Sequence, residues 1–233
     1  MDDLDKLPSF FAGAIPRRSA SSLGDSMTRD DWYRNTEWTP EVEKTFHAKL
    51  ARARRKAQYL RIQACVLATS HPAVALRLLD DYFESGDDFD EAQAHVDRAT
   101  AYRSLGQNEK ALHSYERALK VEAKKPFVKT QAYIQLPYLV AIIAEKVRYE
   151  QALDLLERHK TRLTLPVDHF LWHATRALIL GDVGAIDAAK MHAAQALEAA
   201  ALDHSGFRRH PSVGLVGDSH SDIVAKVMGI ANA

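Results

Sequence analysis

A short helical unit recurs along this chain with a small residue at its heart. Residues 99–118 read A-T-A-Y-R-S-L-G-Q-N-E-K-A-L-H-S-Y-E-R-A, and weaker copies lie on both sides. Anchored on the small residue of each second helix, the copies place Ala75, Ala111, Ala152 and Ala189 at separations of 36, 41 and 37 residues. A near-constant period of this length, with helical spacing inside each copy, is the mark of a repeated helix pair. One such pair is too thin to bury its apolar side alone, so its neighbours must cover it. The sequence therefore predicts an all-α fold, an α-solenoid of about four helical hairpins spanning residues 41–202.

The expected hairpins cover residues 41–84, 90–122, 128–161 and 167–202. The first has a long opening helix, a break at Ser70-His71-Pro72, and a second helix with Ala75, Leu79 and Tyr82. The second turns at Gly106, the third near Arg148-Tyr149 and the fourth within 181–184. Pro137 either kinks the first helix of the third hairpin or sits in the opening turn of a helix that begins at Leu136.

Residues 1–31 read as a mobile N-terminal tail, rich in Pro, Gly and Ser. Its apolar island, Leu7, Phe10, Phe11, Ala14 and Ile15, has helical spacing and reads as a cover for the first hairpin or as a docking motif. Residues 32–40 form an aromatic lead-in whose Trp32 and Trp38 either seal the end of the array or line a partner pocket. Thr39-Pro40-Glu41 is a helix start: hydroxyl cap, proline in the first turn, acid at the positive end of the dipole. Beyond Leu202 comes an irregular loop over 203–217. Ser221-Asp222 then opens a short helix with Ile223, Val227 and Ile230 on one face, a candidate cap for the last hairpin.

This pattern resembles the tetratricopeptide repeat. Ala99, Tyr102, Gly106, Ala111, Tyr115 and Ala118 fall at the spacing of that family's small and aromatic positions, and Ala177, Gly184, Ala189 and Ala196 match again. The third copy keeps Tyr149-Glu150-Gln151-Ala152-Leu153 but has Val147 in place of the turn glycine and His159 in place of a small residue. The resemblance implies that ligands lie along the first helices of successive hairpins. Carried over, those positions are Leu60, Arg61 and Ala64; Gln93, Val96, Asp97, Thr100 and Arg103; Tyr138, Ala141 and Glu145; and Ala174, Thr175 and Leu178. The carboxylate clamp of one subset of the family is missing, since only Arg61 and Arg103 supply positive charge there. A mixed groove of this kind suits an amphipathic helix or an extended peptide of another protein.

Charge is balanced overall, with 31 basic and 31 acidic side chains, so nothing draws the whole chain to nucleic acid or to an anionic membrane. Locally it is not balanced. Residues 41–61 hold seven cations, Lys44, Lys49, Arg52, Arg54, Arg55, Lys56 and Arg61, against Glu41 and Glu43. Residues 80–97 hold eight acids, Asp80, Asp81, Glu84, Asp87, Asp88, Asp90, Glu91 and Asp97, and no Lys or Arg. Two solvated faces that attract each other, a head-to-tail contact between copies, or a charged partner would each use this asymmetry.

Catalytic motifs do not stand out. The sequence has no Gly-rich phosphate loop, GxSxG or HExxH. His169 and His173 share a helix face at i, i+4, with Asp168 adjacent, a spacing able to hold a metal but more simply read as packing. His204, His210 and His220 lie in the C-terminal region without tight spacing. The run Arg52-Ala53-Arg54-Arg55-Lys56 has only Tyr59 for base stacking and reads as a solvated face. Cys65, the single cysteine, sits in an apolar run as an inert thiol, and no signal or membrane stretch is evident, which points to the cytoplasm. The expectation is a cytoplasmic adaptor that binds another protein, without catalysis or cofactor. The second reading is a self-associating repeat protein, a homo-oligomer held by its opposite charge patches.

Overall fold

The structure is a computed structural model that describes residues 31–233; the expected tail and its apolar island lie outside the described residues, apart from Asp31. Among the described residues there are ten α-helices and no strand. The chain divides into two compact units, Met1–Ala132 and Tyr133–Ala233.

The first unit contains α1 (Pro40–Arg52), α2 (Lys56–Leu67), α3 (Pro72–Glu84), α4 (Glu91–Ser104) and α5 (Asn108–Lys124). Each helix packs on the next, and α2 also touches α4. The start of α1 follows the chemistry of its sequence: Val42 N donates to Thr39 Oγ1 at 3.3 Å, Pro40 opens the helix, and Glu41 lies in the first turn. The expected long first helix is broken. Ala53 is extended (φ −77°, ψ 145°), and α2 begins three residues later. Four cations within residues 52–56 weigh against a continuous helix here, because Arg52 and Lys56 would face each other at i, i+4 with no acid between them, a cost of about 0.2–0.5 kcal/mol.

The aromatic lead-in holds the two short helices around it. The Trp32 ring lies 5.5 Å from Phe46 of α1 and 5.0 Å from Tyr59 of α2, and Tyr33 lies 4.6 Å from Tyr59. Gln63, fully buried in α2, is satisfied from the same segment. It accepts from Asn35 N and Nδ2 at 2.9 and 2.8 Å and donates to Asn35 O at 2.7 Å. The tryptophans thus pack on the core of the first unit, formed by Leu60, Leu67, Leu79 and Tyr82. Between α4 and α5 the turn falls at Gly106, whose φ of +70° strains any residue with a Cβ.

The second unit begins with α6 (Ala132–Ile142), followed by a 3-10 turn (Lys146–Arg148), α7 (Tyr149–Arg158), α8 (Pro166–Asp182), α9 (Ile186–Ala200) and α10 (Ser221–Asn232). Pro137 lies inside α6, so of its two placements the structure takes the interior one. The turn expected near Arg148-Tyr149 begins earlier, at Ala144, whose φ is +54°. Helix α8 packs on α7 and α9, and α10 covers both α8 and α9. Ile223 and Val227 of α10 are buried, and Ile230 Cδ1 lies beside Gly181 of α8. The four anchor alanines, Ala75, Ala111, Ala152 and Ala189, are all buried, each within its own unit. No described helix is long and apolar enough to cross a membrane.

The loop over 203–217 is fixed to the start of α8. Val167 N donates to Gly214 O at 2.8 Å, and Gly214 has φ of +67°. A Cβ on Gly214 would lie 2.7 Å from Leu165 Cβ. Gly214→Ala is therefore expected to destabilise the second unit by about 1–3 kcal/mol through backbone strain and clash. Urea unfolding followed by circular dichroism measures it, and an unchanged midpoint would contradict the geometry.

Candidate interaction surface

The side chains that the resemblance places on a ligand-facing surface are largely occupied elsewhere. Leu60, Arg61, Val96 and Asp97 are buried in the first unit, and Tyr138 and Thr175 in the second. None of these six offers surface to a partner as it stands. Arg61 forms a buried ion pair, NH1 to Asp97 Oδ2 at 3.1 Å, and its Nε donates to Asp90 Oδ2 at 3.3 Å. Gln93 Nε2 completes the set with a 3.0 Å bond to Asp97 Oδ1. Burial works against the Arg61 charge, but Asp97 and Asp90 outweigh it and hold its pKa above the usual value. Burial pushes the Asp97 carboxyl up, against Arg61 and Gln93. The neighbouring Cys65 thiol is pushed up to about 12, by burial first and then by Asp97, so it is protonated and inert at neutral pH.

Ala64, Ala141 and Ala174 are buried as well, and Gln93, Thr100, Arg103, Glu145 and Leu178 are half-buried. Thr100 Oγ1 donates back to Val96 O at 3.1 Å, Arg103 NH1 reaches Tyr115 OH at 3.5 Å, and Glu145 follows the Ala144 turn.

His173 pairs with a residue that the sequence reading did not single out. Its Nδ1 lies 3.0 Å from His192 Nδ1, across the α8–α9 contact. Arg176 Nε donates to His192 Nε2 at 3.1 Å and Arg176 NH1 to Glu157 Oε2 at 3.3 Å. With Nε2 accepting, His192 carries its proton on Nδ1 and donates it to His173, so both rings are neutral. Burial, then His192, His169, Arg176 and Lys160, pushes His173 down to about 4. His192 is lowered by burial, Arg176 and Lys160. Asp168 is spent on the start of α8, where Oδ2 accepts from Thr164 N at 3.2 Å and Leu165 N at 3.1 Å. Among the described residues no three His, Cys, Asp or Glu side chains are grouped to hold a metal ion.

The two charged stretches do not neutralise each other. Of the seven cations over 41–61 only Arg61 pairs with the acids, while Arg98 takes Asp80, and Lys125 takes Asp88 and Glu91. Lys44, Lys49, Arg52, Arg54, Arg55 and Lys56 are exposed, with no ion pair among the described residues. The attraction expected between two solvated faces thus gives way to internal pairing of the acids, because α4 and α5 bring closer cations to them.

Two clefts open on the first unit among the described residues: one of about 210 Å³ lined by Trp32, Phe46 and Lys49, and one of about 320 Å³ where the start of α4 meets the end of α5. The α4–α5 cleft is lined by Glu91, His95, Arg117, Lys120, Val121 and Lys124. Lys125, just past α5, donates to Asp88 O at 2.7 Å and Asp88 Oδ2 at 2.6 Å, tying the α3–α4 loop to the end of α5. One residue beyond Asp88 is Phe89, 80% exposed; two beyond Lys125 is Phe127, 100% exposed. Their signal in the sequence is an aromatic set among turn formers, Asp87-Asp88-Phe89-Asp90 and Lys125-Pro126-Phe127, where nothing can bury it. Comparison with known proteins finds no matching family model, no matching curated protein and no matching solved structure.

Asp97→Ala leaves a buried guanidinium with only Asp90 to face, and is expected to cost about 3–5 kcal/mol. The pair Arg61→Met with Asp97→Leu removes both charges and should recover most of that loss in urea unfolding; a double variant as unstable as the single would contradict the ion-pair reading. The histidine pair predicts a pH effect. Unfolded histidine takes up its proton near 6.5 whereas His173 does so near 4, so protons favour the unfolded chain between those values. Stability should fall as pH drops from 6.5 towards 4, and the fall should shrink in His173→Gln/His192→Gln. His95 of the first unit, held down to about 4 by burial, contributes in the same direction and is left intact in that variant. Melting temperatures across the range provide the measurement, and equal pH profiles for the two proteins would refute it.

Proposed function

We propose that this chain is a protein-binding adaptor without catalytic activity, a tetratricopeptide-like array of helical hairpins. Buried alanines at all four anchor positions and a positive φ at Gly106 and Gly184 support the repeat reading. The single observation that carries the functional reading is the exposure of Phe89 and Phe127 on two loops joined by Lys125. Covering a phenylalanine contributes about 1.5–3 kcal/mol, and an aromatic anchor beside a rim of charge is the anatomy of an interface centre. The contact surface in this reading is the α4–α5 region, in place of the buried positions Arg61, Asp97 and Thr175. Self-association through opposite charge patches has thinner support, because five of the eight acids, Asp80, Asp88, Asp90, Glu91 and Asp97, are already paired within the first unit.

Both phenylalanines are exposed, so replacing them should leave stability within about 0.5 kcal/mol of wild type. Affinity capture from native lysate with the wild-type chain and with Phe89→Ala/Phe127→Ala, followed by quantitative mass spectrometry, should show a specific partner depleted about tenfold with the variant. Equal recovery of every partner by both baits would remove these loops from the interface.

A further inference from the structure

Resting on the adaptor reading, we infer that the α4–α5 cleft and its flanking phenylalanines take an acidic peptide segment of the partner protein. Carboxylates of that segment enter the cleft against Arg117, Lys120 and Lys124, and an apolar side chain lies against Phe89 and Phe127. The first argument is charge. Arg117, Lys120 and Lys124 stand at i, i+3 and i+7, on one stripe of α5, and like charges at this spacing repel each other. Glu91 is the one acid in the wall, and it shares Lys125 with Asp88. Lys120 and Lys124 have no ion pair among the described residues, so the cleft presents unmatched positive charge that a carboxylate would relieve.

The second argument is the wall itself. His95 lines the cleft, and its Nδ1 is buried with no hydrogen-bond partner. Its ring packs against Phe83 at 4.6 Å, and the Arg98 guanidinium lies over the Phe83 ring at 4.3 Å. The half-buried ring thus gives the cleft an aromatic wall beside its cations, against which an apolar group of a bound segment can pack. The third argument is size and mixture. A space of about 320 Å³ holds one or two acidic side chains. Exposed Asp81, Glu84 and Asp87 stand on the α3 side of the same unit, where a continuous polyanion such as nucleic acid would meet repulsion. A peptide places its charges only where cations await them, and supplies the apolar group that the phenylalanines call for.

The test uses the full chain and short dye-labelled peptides in fluorescence anisotropy. One peptide alternates Glu or Asp with Leu or Phe, a second replaces the acids by Gln and Asn, and a third keeps the acids and replaces the apolar residues by Ser. The first should bind, and the other two should bind at least about tenfold more weakly. Lys120→Glu/Lys124→Glu and Phe89→Ala/Phe127→Ala should each weaken the first peptide by about tenfold, while Arg54→Glu/Arg55→Glu on the open basic run should change it less than about twofold. No binding of the first peptide, equal binding by the cleft variant, or a loss caused by the Arg54/Arg55 variant instead would overturn the assignment. So would displacement by millimolar inorganic phosphate with no dependence on the apolar residues, which marks a small-anion site, or tighter binding of a single-stranded oligonucleotide. A partner captured from lysate that is lost with the phenylalanine variant but kept with Lys120→Glu/Lys124→Glu would sink the acidic-peptide inference and leave the adaptor reading standing.

Discussion

Two helices can approach closely only where one of them carries almost no side chain, and the packing within each unit rests on that constraint. Ala75, Ala111, Ala152 and Ala189 are buried at such contacts, and Ala99, Ala118, Ala177 and Ala196 join them. Larger residues at these places would push the helices apart and open gaps that Tyr82, Tyr115 and Leu156 now fill. The resulting contact is made of many small dispersion terms, and it has little tolerance for added volume.

Close packing of this kind leaves polar groups that must be satisfied inside. Gln63 answers to Asn35, Arg61 to Asp97 and Asp90, and His192 to Arg176 and His173. Each set spans two segments distant in sequence, and each costs desolvation that its hydrogen bonds have to offset. Such networks fix which helix faces which neighbour. They also remove those side chains from any role on the surface, which is why Arg61 and Asp97, two of the positions that a repeat resemblance marks for ligands, turn out to be internal in this chain.

Internal pairing also decides where charge is left over. The acids of α3 and α4 find Arg61, Arg98 and Lys125, while the cations of α1 and of the α5 stripe find nothing equivalent among the described residues. A chain with no net charge therefore presents positive surface in two places. Lys49 of the first lines a cleft of about 210 Å³ with the half-buried Trp32 and the buried Phe46, whereas the α5 stripe lies along a cleft of about 320 Å³ whose lining residues have the exposed Phe89 and Phe127 close by in the chain. This coincidence, more than the amount of charge, favours α5 over the longer basic run as the place where a partner docks.

The helical architecture was legible in the sequence wherever the signal was local. The Thr39-Pro40 start, the Gly106 turn, the α3, α8 and α10 helices and the four buried alanines all follow from spacing, capping and backbone preference. The break after Arg52 left only a faint mark, like charges one helical turn apart, which good helix formers on both sides outweigh in a reading along the chain. The Ala144 turn carried no such mark, since alanine gives no hint that it will take a positive φ. The pairing of side chains could not be read at all. That His173 meets His192 and not His169, or that Arg61 meets Asp97 and not open solvent, depends on how helices pack across 19 and 36 residues of chain. By itself, then, the sequence determined which segments coil and which small residues face inward, because those depend on neighbours along the chain. Tertiary structure alone decided which charges are spent and which remain for a partner, because a side chain's partner is set by distance in space.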